Sequence, residues 1–183
     1  LDIGAKYNDD KANAWISAYV GRVDDFILFR YSPTNARMSQ VENVNAMIMG
    51  GEMGVAYQLS DEWKADASLA YSWGKNRTDG RALPQMPPLE SRLGLTWEKG
   101  DWTTTGLVRM VSRQDRVAIN EGNVVGKDFS ESAGFTVFSM NTAYRINESV
   151  KLSAGVDNLF DKTYSEHLNL AGNSGFGYSS NSP

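Results

Sequence analysis

Apolar and polar residues alternate along this chain with a period of two, which is the period of a β-strand. The clearest case starts at Trp63 and ends at Gly74, where every second residue is apolar or aromatic and the residues between are small or polar. Strict alternation places one face of a strand in an apolar medium and the other in water. In this segment the apolar face comprises Trp63, Ala65, Ala67, Leu69, Tyr71 and Trp73.

The same period recurs along nearly the whole chain, and helical spacing fits none of the segments better. Abundant Gly, Thr, Tyr and Trp also favour strands over helices, with the aromatic and β-branched residues suited to a pleated, half-buried surface. The pattern predicts eight strands, which cover residues 1–7, 13–31, 41–58, 63–74, 89–98, 102–116, 135–147 and 150–157.

The connections between these predicted strands are alternately short and long. Short turns are expected at 8–12, 60–62, 99–101 and 147–149, and longer connections at 32–40, 77–88 and 117–134, with a long tail from Asp161. Outer-membrane β-barrels have this arrangement, with short turns on the periplasmic side and long loops outside. A soluble β-sandwich is the alternative, and it would mix both loop lengths at each end.

Aromatic residues mark the expected membrane boundaries. Five of them flank the short turns, namely Tyr57, Trp63, Trp97, Trp102 and Tyr144. Trp63 and Trp73 are about ten residues apart, which at ~3.3 Å per residue and a tilt near 45° spans roughly 23 Å. This agrees with the apolar band of about 25 Å between the two aromatic girdles of a barrel.

Composition narrows the functional classes. The net charge is −4 with a pI near 5.0, which gives no support for nucleic-acid binding, because phosphate contacts need clustered Lys and Arg. The chain has no cysteine, so neither a disulfide nor a thiolate metal site can come from it. No apolar run reaches the roughly 18 residues of a membrane helix. The chain begins inside an apparent strand, so we expect any targeting segment upstream.

One segment near the end of the chain resembles a known family. The run Gly155-Val156-Asp157-Asn158-Leu159-Phe160-Asp161-Lys162-Thr163-Tyr164 is similar to a motif of TonB-dependent receptors, where it joins the penultimate strand to the last extracellular loop. The core of this motif is Asn158, Leu159, Phe160 and Asp161.

This resemblance implies an all-β fold, an antiparallel transmembrane β-barrel. Such receptors have roughly 22 strands around a plug domain, so about eight strands make residues 1–183 the C-terminal part of the barrel. The plug domain, the TonB box and the first half of the barrel are then expected upstream, and the final strand downstream. Expected partners are outer-membrane lipid, the plug domain of the same protein and the TonB complex, with no nucleic acid. The expected location is the bacterial outer membrane.

A second resemblance concerns the cargo. Residues 164–178 are similar to the last loop of the TonB-dependent copper receptors, and Pro87-Pro88-Leu89-Glu90 before a strand also suits that group. The resemblance implies TonB-dependent active import of copper across the outer membrane. A ferric siderophore or cobalamin receptor of the same family is the alternative, and a passive porin is an alternative from another class.

Residues with catalytic chemistry are few. A lone histidine, no cysteine and scattered carboxylates form no nucleophile–base pair, so we expect neither an enzyme nor a catalytic cofactor.

Thioether sulfur suits Cu(I) and imidazole also binds copper. Met47, Met49 and Met53 share one face of a strand and are expected to face lipid. Met38, Met86 and His167 fall in three predicted loops and form a candidate capture site at the barrel mouth, with copper as the transported substrate.

Charged residues on the polar faces of the predicted strands complete the sequence picture. They would line the barrel interior, where they either hold the plug domain or solvate a polar lumen. These residues are Lys64, Asp66, Glu90, Arg92, Glu98, Arg109, Arg113, Lys151 and Asp157.

Overall fold

The computed structural model describes residues 1–34, 39–123 and 126–168, and its strands form one β-sheet. The strands are β1 (Asp2–Asn8), β2 (Ala12–Tyr31), β3 (Ser39–Gln58), β4 (Trp63–Asn76), β5 (Glu90–Lys99), β6 (Trp102–Val111), β7 (Glu121–Gly122), β8 (Phe135–Asn147) and β9 (Val150–Val156). Within the described ranges, no helix is long and apolar enough to cross a membrane.

The strands follow one another through the sheet in the order β1-β2-β3-β4-β5-β6-β8-β9, each antiparallel to the next. This confirms the predicted all-β antiparallel fold. The predicted end of the sixth strand at residue 116 is wrong, because β6 ends at Val111. Residues 112–116 are polar and leave the sheet for the next connection, where the backbone of Gln114 pairs with Ser132.

The strand register gives the sheet one apolar and one polar face, because residues paired across an antiparallel ladder point the same way. Met53 pairs with Leu69, and Ala67 pairs with Leu93, so the apolar positions of three strands coincide. Met47, Met49 and Met53 share this apolar face with Val55 and Tyr57, as their spacing predicted. The polar face includes Ser17, Glu52, Asp66, Arg92, Glu98, Thr105, Arg109 and Lys151.

Short and long connections lie at opposite ends of the sheet. The short-turn end carries the predicted aromatic pairs on the apolar face: Trp63 pairs with Trp97, and Trp102 pairs with Tyr144. The last two rings are 4.7 Å apart between centroids. The long connections leave the opposite end after Tyr31, Asn76 and Val111. The predicted sorting of connections by length is therefore confirmed.

The connection between β6 and β8 folds back across the sheet. Its short strand β7 pairs with Phe29 and Arg30 of β2, on the edge of β2 that β3 does not occupy. The connection thus reaches over β5, β4 and β3. We call the described parts of the long connections (residues 77–89, 112–123, 126–134 and 157–168) the loop layer. Several of the most buried side chains lie beneath or within it, namely Leu28, Asn76, Leu83 and Asp128.

A β-bulge in β2 sets which residues face this layer. Between the pairs Val23–Ala46 and Phe26–Val44, β2 has two residues where β3 has one. Asp25, in this interval, has a φ of 56°, in the left-handed region that a short polar residue tolerates. An extra residue on one strand bends it and shifts its alternation by one position.

The odd-numbered residues of β2 lie on the polar face before the bulge, and the even-numbered residues lie on it after the bulge. Leu28 and Arg30, which follow the bulge, lie on the polar-face side, where the side chain of Leu28 is fully buried. Ile27, between Phe26 and Leu28, is 57% exposed on the other face. The interrupted alternation explains why residues 13–31 give a weaker strand pattern than β4.

Aromatic side chains cover two glycines on the polar face of β3. Trp15 pairs directly with Gly54, and Tyr19 pairs with Gly50. Each ring lies over its glycine, and the Tyr19 hydroxyl is 3.0 Å from Ser72 Oγ. Cross-strand aromatic side chains therefore fill the space above both glycines, as happens where rings cover glycines in sheets.

A bulky side chain at Gly50 should destabilise the sheet. A Cβ at this position would lie 2.6 Å from the Tyr71 carbonyl oxygen, and that backbone atom has no room to move. We expect Gly50→Val to lower the free energy of unfolding by about 1–3 kcal/mol, the usual cost of overpacking. The measurement is urea unfolding of the intact protein in detergent. Gly106→Ala is the matched control, because nothing lies within 4 Å of a Cβ there. Equal midpoints for both variants would contradict the prediction.

Candidate metal site in the loop layer

Two of the three predicted metal-binding residues lie in the loop layer. Met86 is in the connection between β4 and β5, and His167 is in the segment after β9. Met38 lies outside the described residues. The layer therefore contains one thioether and one imidazole from the predicted set, and their surroundings define what each can bind.

Met86 packs against the polar face of β4. Its sulfur occupies the space that a Cβ on Gly74 would need, next to Leu83. Its carbonyl oxygen accepts a hydrogen bond of 3.0 Å from Gln114 Nε2. The side chain also borders a cavity of about 110 Å³, together with Arg116. The side chain of Met86 is thus partly buried against β4, with one side on a small cavity, and its thioether is not freely exposed to solvent.

His167 is held inside the layer. Its Nδ1 is 3.1 Å from Ser132 Oγ, and its Nε2 is 3.7 Å from Asp128 Oδ1. The side chain is 3% exposed, and among the described residues Nε2 has no hydrogen-bond partner. The prediction of an imidazole in an outer loop is correct in location. Its burial against a carboxylate was not predicted.

Asp128 joins three parts of the loop layer. Its Oδ1 accepts from the Gln85 backbone N–H at 2.9 Å and from Gln85 Nε2 at 3.0 Å, and its Oδ2 accepts from the Ala118 N–H at 2.9 Å. Burial alone would raise the pKa of this carboxyl, but the His167 imidazole and the donors of Ala118 and Gln85 outweigh burial and hold the pKa below its ordinary value. Asp128 is therefore a carboxylate at neutral pH.

The segment around His167 is clamped to the polar face of the sheet. We call residues 164–167 the strap. Glu166 binds Arg109 of β6 through both oxygens, at 2.5 and 3.2 Å, and Arg109 also donates to Glu90 of β5 at 2.6 Å. Tyr164 stacks on Phe135 with ring centroids 4.2 Å apart. A two-pronged guanidinium–carboxylate contact fixes orientation as well as distance, so the strap positions His167.

A second set of charges fixes the far side of the layer. Arg30 of β2 contacts Glu42 at 2.9 Å, Asp79 at 3.1 Å and Glu121 of β7 at 3.2 Å. Arg81 also pairs with Glu121, whose side chain is 4% exposed. These contacts tie β2 and β3 to two long connections. No local pattern in the sequence pointed to them, because their partners come from distant segments.

The segment after β9 that resembles the receptor motif forms a turn. Asn158 adopts a φ of 51°, its Oδ1 accepts from the Lys162 N–H at 2.8 Å, and its Nδ2 donates to the Lys162 carbonyl at 3.0 Å. Leu159 N–H donates to the Phe138 carbonyl at 2.7 Å, and the rings of Phe160 and Phe138 meet edge to face. The motif therefore turns the chain back from the sheet towards the strap.

Most of the predicted interior charges lie on the polar face, as expected, but Arg113 and Asp157 do not belong to a strand. Asp157 follows the end of β9, and Arg113 follows the end of β6 and pairs with Glu131 inside the same connection. The loop layer holds one imidazole, one thioether and two buried carboxylates, those of Asp128 and Glu121. The described ranges contain no group of three or more His, Cys, Asp or Glu residues arranged to hold a metal ion.

Comparison with known proteins identifies a matching family model. The family described as "TonB dependent receptor-like, beta-barrel" matches residues 1–159. A curated relative, the ferric enterobactin receptor of Pseudomonas aeruginosa, is 29% identical over 133 residues, which is 70% of this chain and 18% of that receptor.

Solved structures give a graded series of similarity. The copper transporter OprC is 62% identical with a TM-score of 0.92, covering 98% of this chain and 28% of that protein. A mutant of the ferric enterobactin receptor PfeA from Pseudomonas aeruginosa has 24% identity and a TM-score of 0.68, over 88% of this chain and 25% of that one. The FrpB iron transporter from Neisseria meningitidis has 16% identity and a TM-score of 0.69, over 93% of this chain and 28% of that one. The last two show a shared fold. The chain spans less than a third of each relative.

Removing the Asp128 carboxylate should loosen the loop layer without disturbing the sheet. Asp128→Ala leaves the Gln85 and Ala118 N–H groups without their acceptor, and a hydrogen bond to a charged group contributes about 1.5–3 kcal/mol. We expect hydrogen exchange at these two amides to quicken on the order of 10- to 100-fold in the intact protein, with β4 and β5 unchanged. Asp115→Asn, at an exposed position of the same connection, is the control. Unchanged exchange in Asp128→Ala would contradict the assigned role.

Proposed function

Since this chain belongs to the TonB-dependent receptor β-barrel family, we propose that it forms part of the wall and outer loops of an outer-membrane importer whose cargo is copper. The observation that carries the choice of copper is the 62% identity to the copper transporter OprC over 98% of this chain. Proteins of this family are transporters, so the proposed role is transport and not catalysis.

We propose further that residues 1–183 are the C-terminal part of the barrel. The chain spans 28% of OprC, and β1 and β9 are edge strands of the described sheet. Unpaired strand edges are not tolerated in lipid, where backbone N–H and C=O groups find no water. Further strands, a plug domain and a TonB box are therefore assigned to the remainder of the protein. The plug domain and the TonB complex are the proposed partners.

The two faces of the sheet have distinct proposed roles. The apolar face, with its aromatic pairs near the short turns, contacts the lipid of the outer membrane. The polar face lines the lumen, where Asp66, Arg92 and Lys151 are available to the plug domain. The loop layer covers the outer end of this lumen. Import then follows the family scheme: cargo binds from outside, and the TonB complex supplies the work that moves the plug.

For capture at the mouth, we propose Met38, Met86 and His167. The described geometry supports His167 most directly, because its Nε2 is unpartnered. Met86 is linked to it indirectly, through the hydrogen bonds of the preceding residue Gln85 to Asp128. Thioether and imidazole groups suit copper in its two oxidation states better than they suit a ferric siderophore, which presents oxygen ligands already bound to iron.

A ferric siderophore receptor is the second candidate, supported by the 29% identity to the ferric enterobactin receptor. Metal analysis separates the two. We expect the intact receptor, purified in detergent from cells grown with copper, to retain about one equivalent of copper that neither iron nor zinc displaces. A copper-free protein that relieves iron starvation would instead support the siderophore receptor.

Substituting the three loop residues should reduce copper uptake. We expect Met38→Ala, Met86→Ala and His167→Ala together to lower the initial uptake rate at limiting copper by about tenfold or more, since even the loss of a residue that only supports a metal ligand commonly lowers metal affinity 10- to 100-fold. Uptake is measured with radioactive copper in cells that have no other outer-membrane route. The control carries Met47→Leu, Met49→Leu and Met53→Leu, three thioethers on the apolar face. Equal uptake in the two triple variants would rule out the loop capture site.

A further inference from the structure

The imidazole of His167 has an unused nitrogen in a buried position. Nδ1 contacts Ser132 Oγ, whereas Nε2 is shielded from solvent and has no hydrogen-bond partner among the described residues. A buried polar atom without a partner is costly, and native structures rarely keep one unless it serves a purpose. The carboxylate oxygen Oδ1 of Asp128 lies 3.7 Å from Nε2.

The separation of these two atoms suits a bridging metal ion. A distance of 3.7 Å is too long for a hydrogen bond. A metal ion about 2.1 Å from each atom would fit between them with a ligand–metal–ligand angle of about 120°. Such an angle is closer to tetrahedral than to square-planar coordination, so the preference for one ion has to come from the types of ligand atom.

We propose that His167 and Asp128 together bind a divalent first-row metal ion through one imidazole nitrogen and one carboxylate oxygen, with Cu²⁺ preferred. Nitrogen and oxygen ligands suit Cu²⁺, and among divalent first-row ions Cu²⁺ binds such ligands most strongly. The inference adds Asp128, which the sequence did not single out, and assigns the oxidized ion to this part of the mouth. It rests on the proposed function only for the role of the ion as cargo.

Surrounding contacts already orient both proposed ligands. Ser132 fixes the imidazole through Nδ1, the position at which metal-binding histidines usually hold a supporting partner. Ala118 holds Asp128 Oδ2 with one hydrogen bond, and Gln85 holds Oδ1 with two, of which a metal ion at Oδ1 would displace one. The strap keeps His167 in place through the contact of Glu166 with Arg109. Supporting partners of this kind commonly change metal affinity 10- to 100-fold.

An ion at this position would join two segments of the loop layer. His167 follows β9, whereas Asp128 lies between β6 and β8. Binding should therefore slow hydrogen exchange in residues 126–134 and in the strap together. Local opening of the strap is needed for entry, because Nε2 is shielded in the described conformation.

The test is a titration of the intact receptor with Cu²⁺ in detergent, followed by electron paramagnetic resonance. We expect the difference spectrum between wild type and His167→Gln to contain one N/O-coordinated Cu²⁺ with nitrogen splitting from a single imidazole. Asp128→Asn keeps the size of the side chain and should weaken this same component at least tenfold. Glu166→Gln, which loosens the strap but removes no ligand, should weaken it less. Glu131→Gln is the matched control, a nearby carboxylate paired with Arg113, and should leave it unchanged.

Identical titrations of wild type, His167→Gln and Asp128→Asn would overturn the site. A loss in His167→Gln alone, with Asp128→Asn unchanged and its circular dichroism intact, would overturn the role of Asp128. Copper uptake by cells is measured separately. If cells take up copper although the three titrations are identical, copper import stands and this site is ruled out. If the predicted spectra appear but cells take up no copper, the site is supported and copper is ruled out as the cargo.

Discussion

The continuous antiparallel ladder is the constraint on which the rest of this structure depends. Each inner strand of the order β1-β2-β3-β4-β5-β6-β8-β9 takes its backbone partners from the strand on either side of it, and the loops pack on the faces and ends of this sheet. Because paired residues share a face, a single register aligns the apolar positions of all the strands at once. The sheet needs no thick core of its own, since lipid is the proposed solvent for one face and an aqueous lumen for the other.

Charged contacts join the distant segments of the loops, in addition to local apolar packing such as that of Tyr164 on Phe135. Arg30 and Glu121 fix one side of the loop layer, Arg109 and Glu166 fix the other, and Asp128 connects the segments between them. Loops joined in this way can keep their residues in fixed positions and still contain groups that bind a cation.

The sequence was sufficient for the fold because strand alternation is a local signal. The period of two, the aromatic residues beside short turns and the motif around Asn158 each lie within a few residues, and the structure agrees with all three. The site was less predictable, because its contacts join distant segments. Nothing near Asp128 indicates that it meets Gln85, and β7 consists of two residues whose pairing with β2 has no pattern of its own. His167 was found from residue type alone, without its burial or its carboxylate neighbour.

The bulge in β2 has a consequence for how this chain tolerates changes in length. Residues before Val23 and after Phe26 are in opposite phase, so the bulge works as a parity switch between two halves of one strand. Losing one residue there would remove the bulge and restore an unbroken alternation, while residues 26–31 kept their partners on β3 and their faces. Losing a second residue would reverse the faces of the upper half, which would turn Arg30 to the apolar side of the sheet and Ile27 towards Glu121. This position is therefore expected to tolerate the loss of one residue but not of two, a rule set by the geometry of a pleated strand and independent of the cargo.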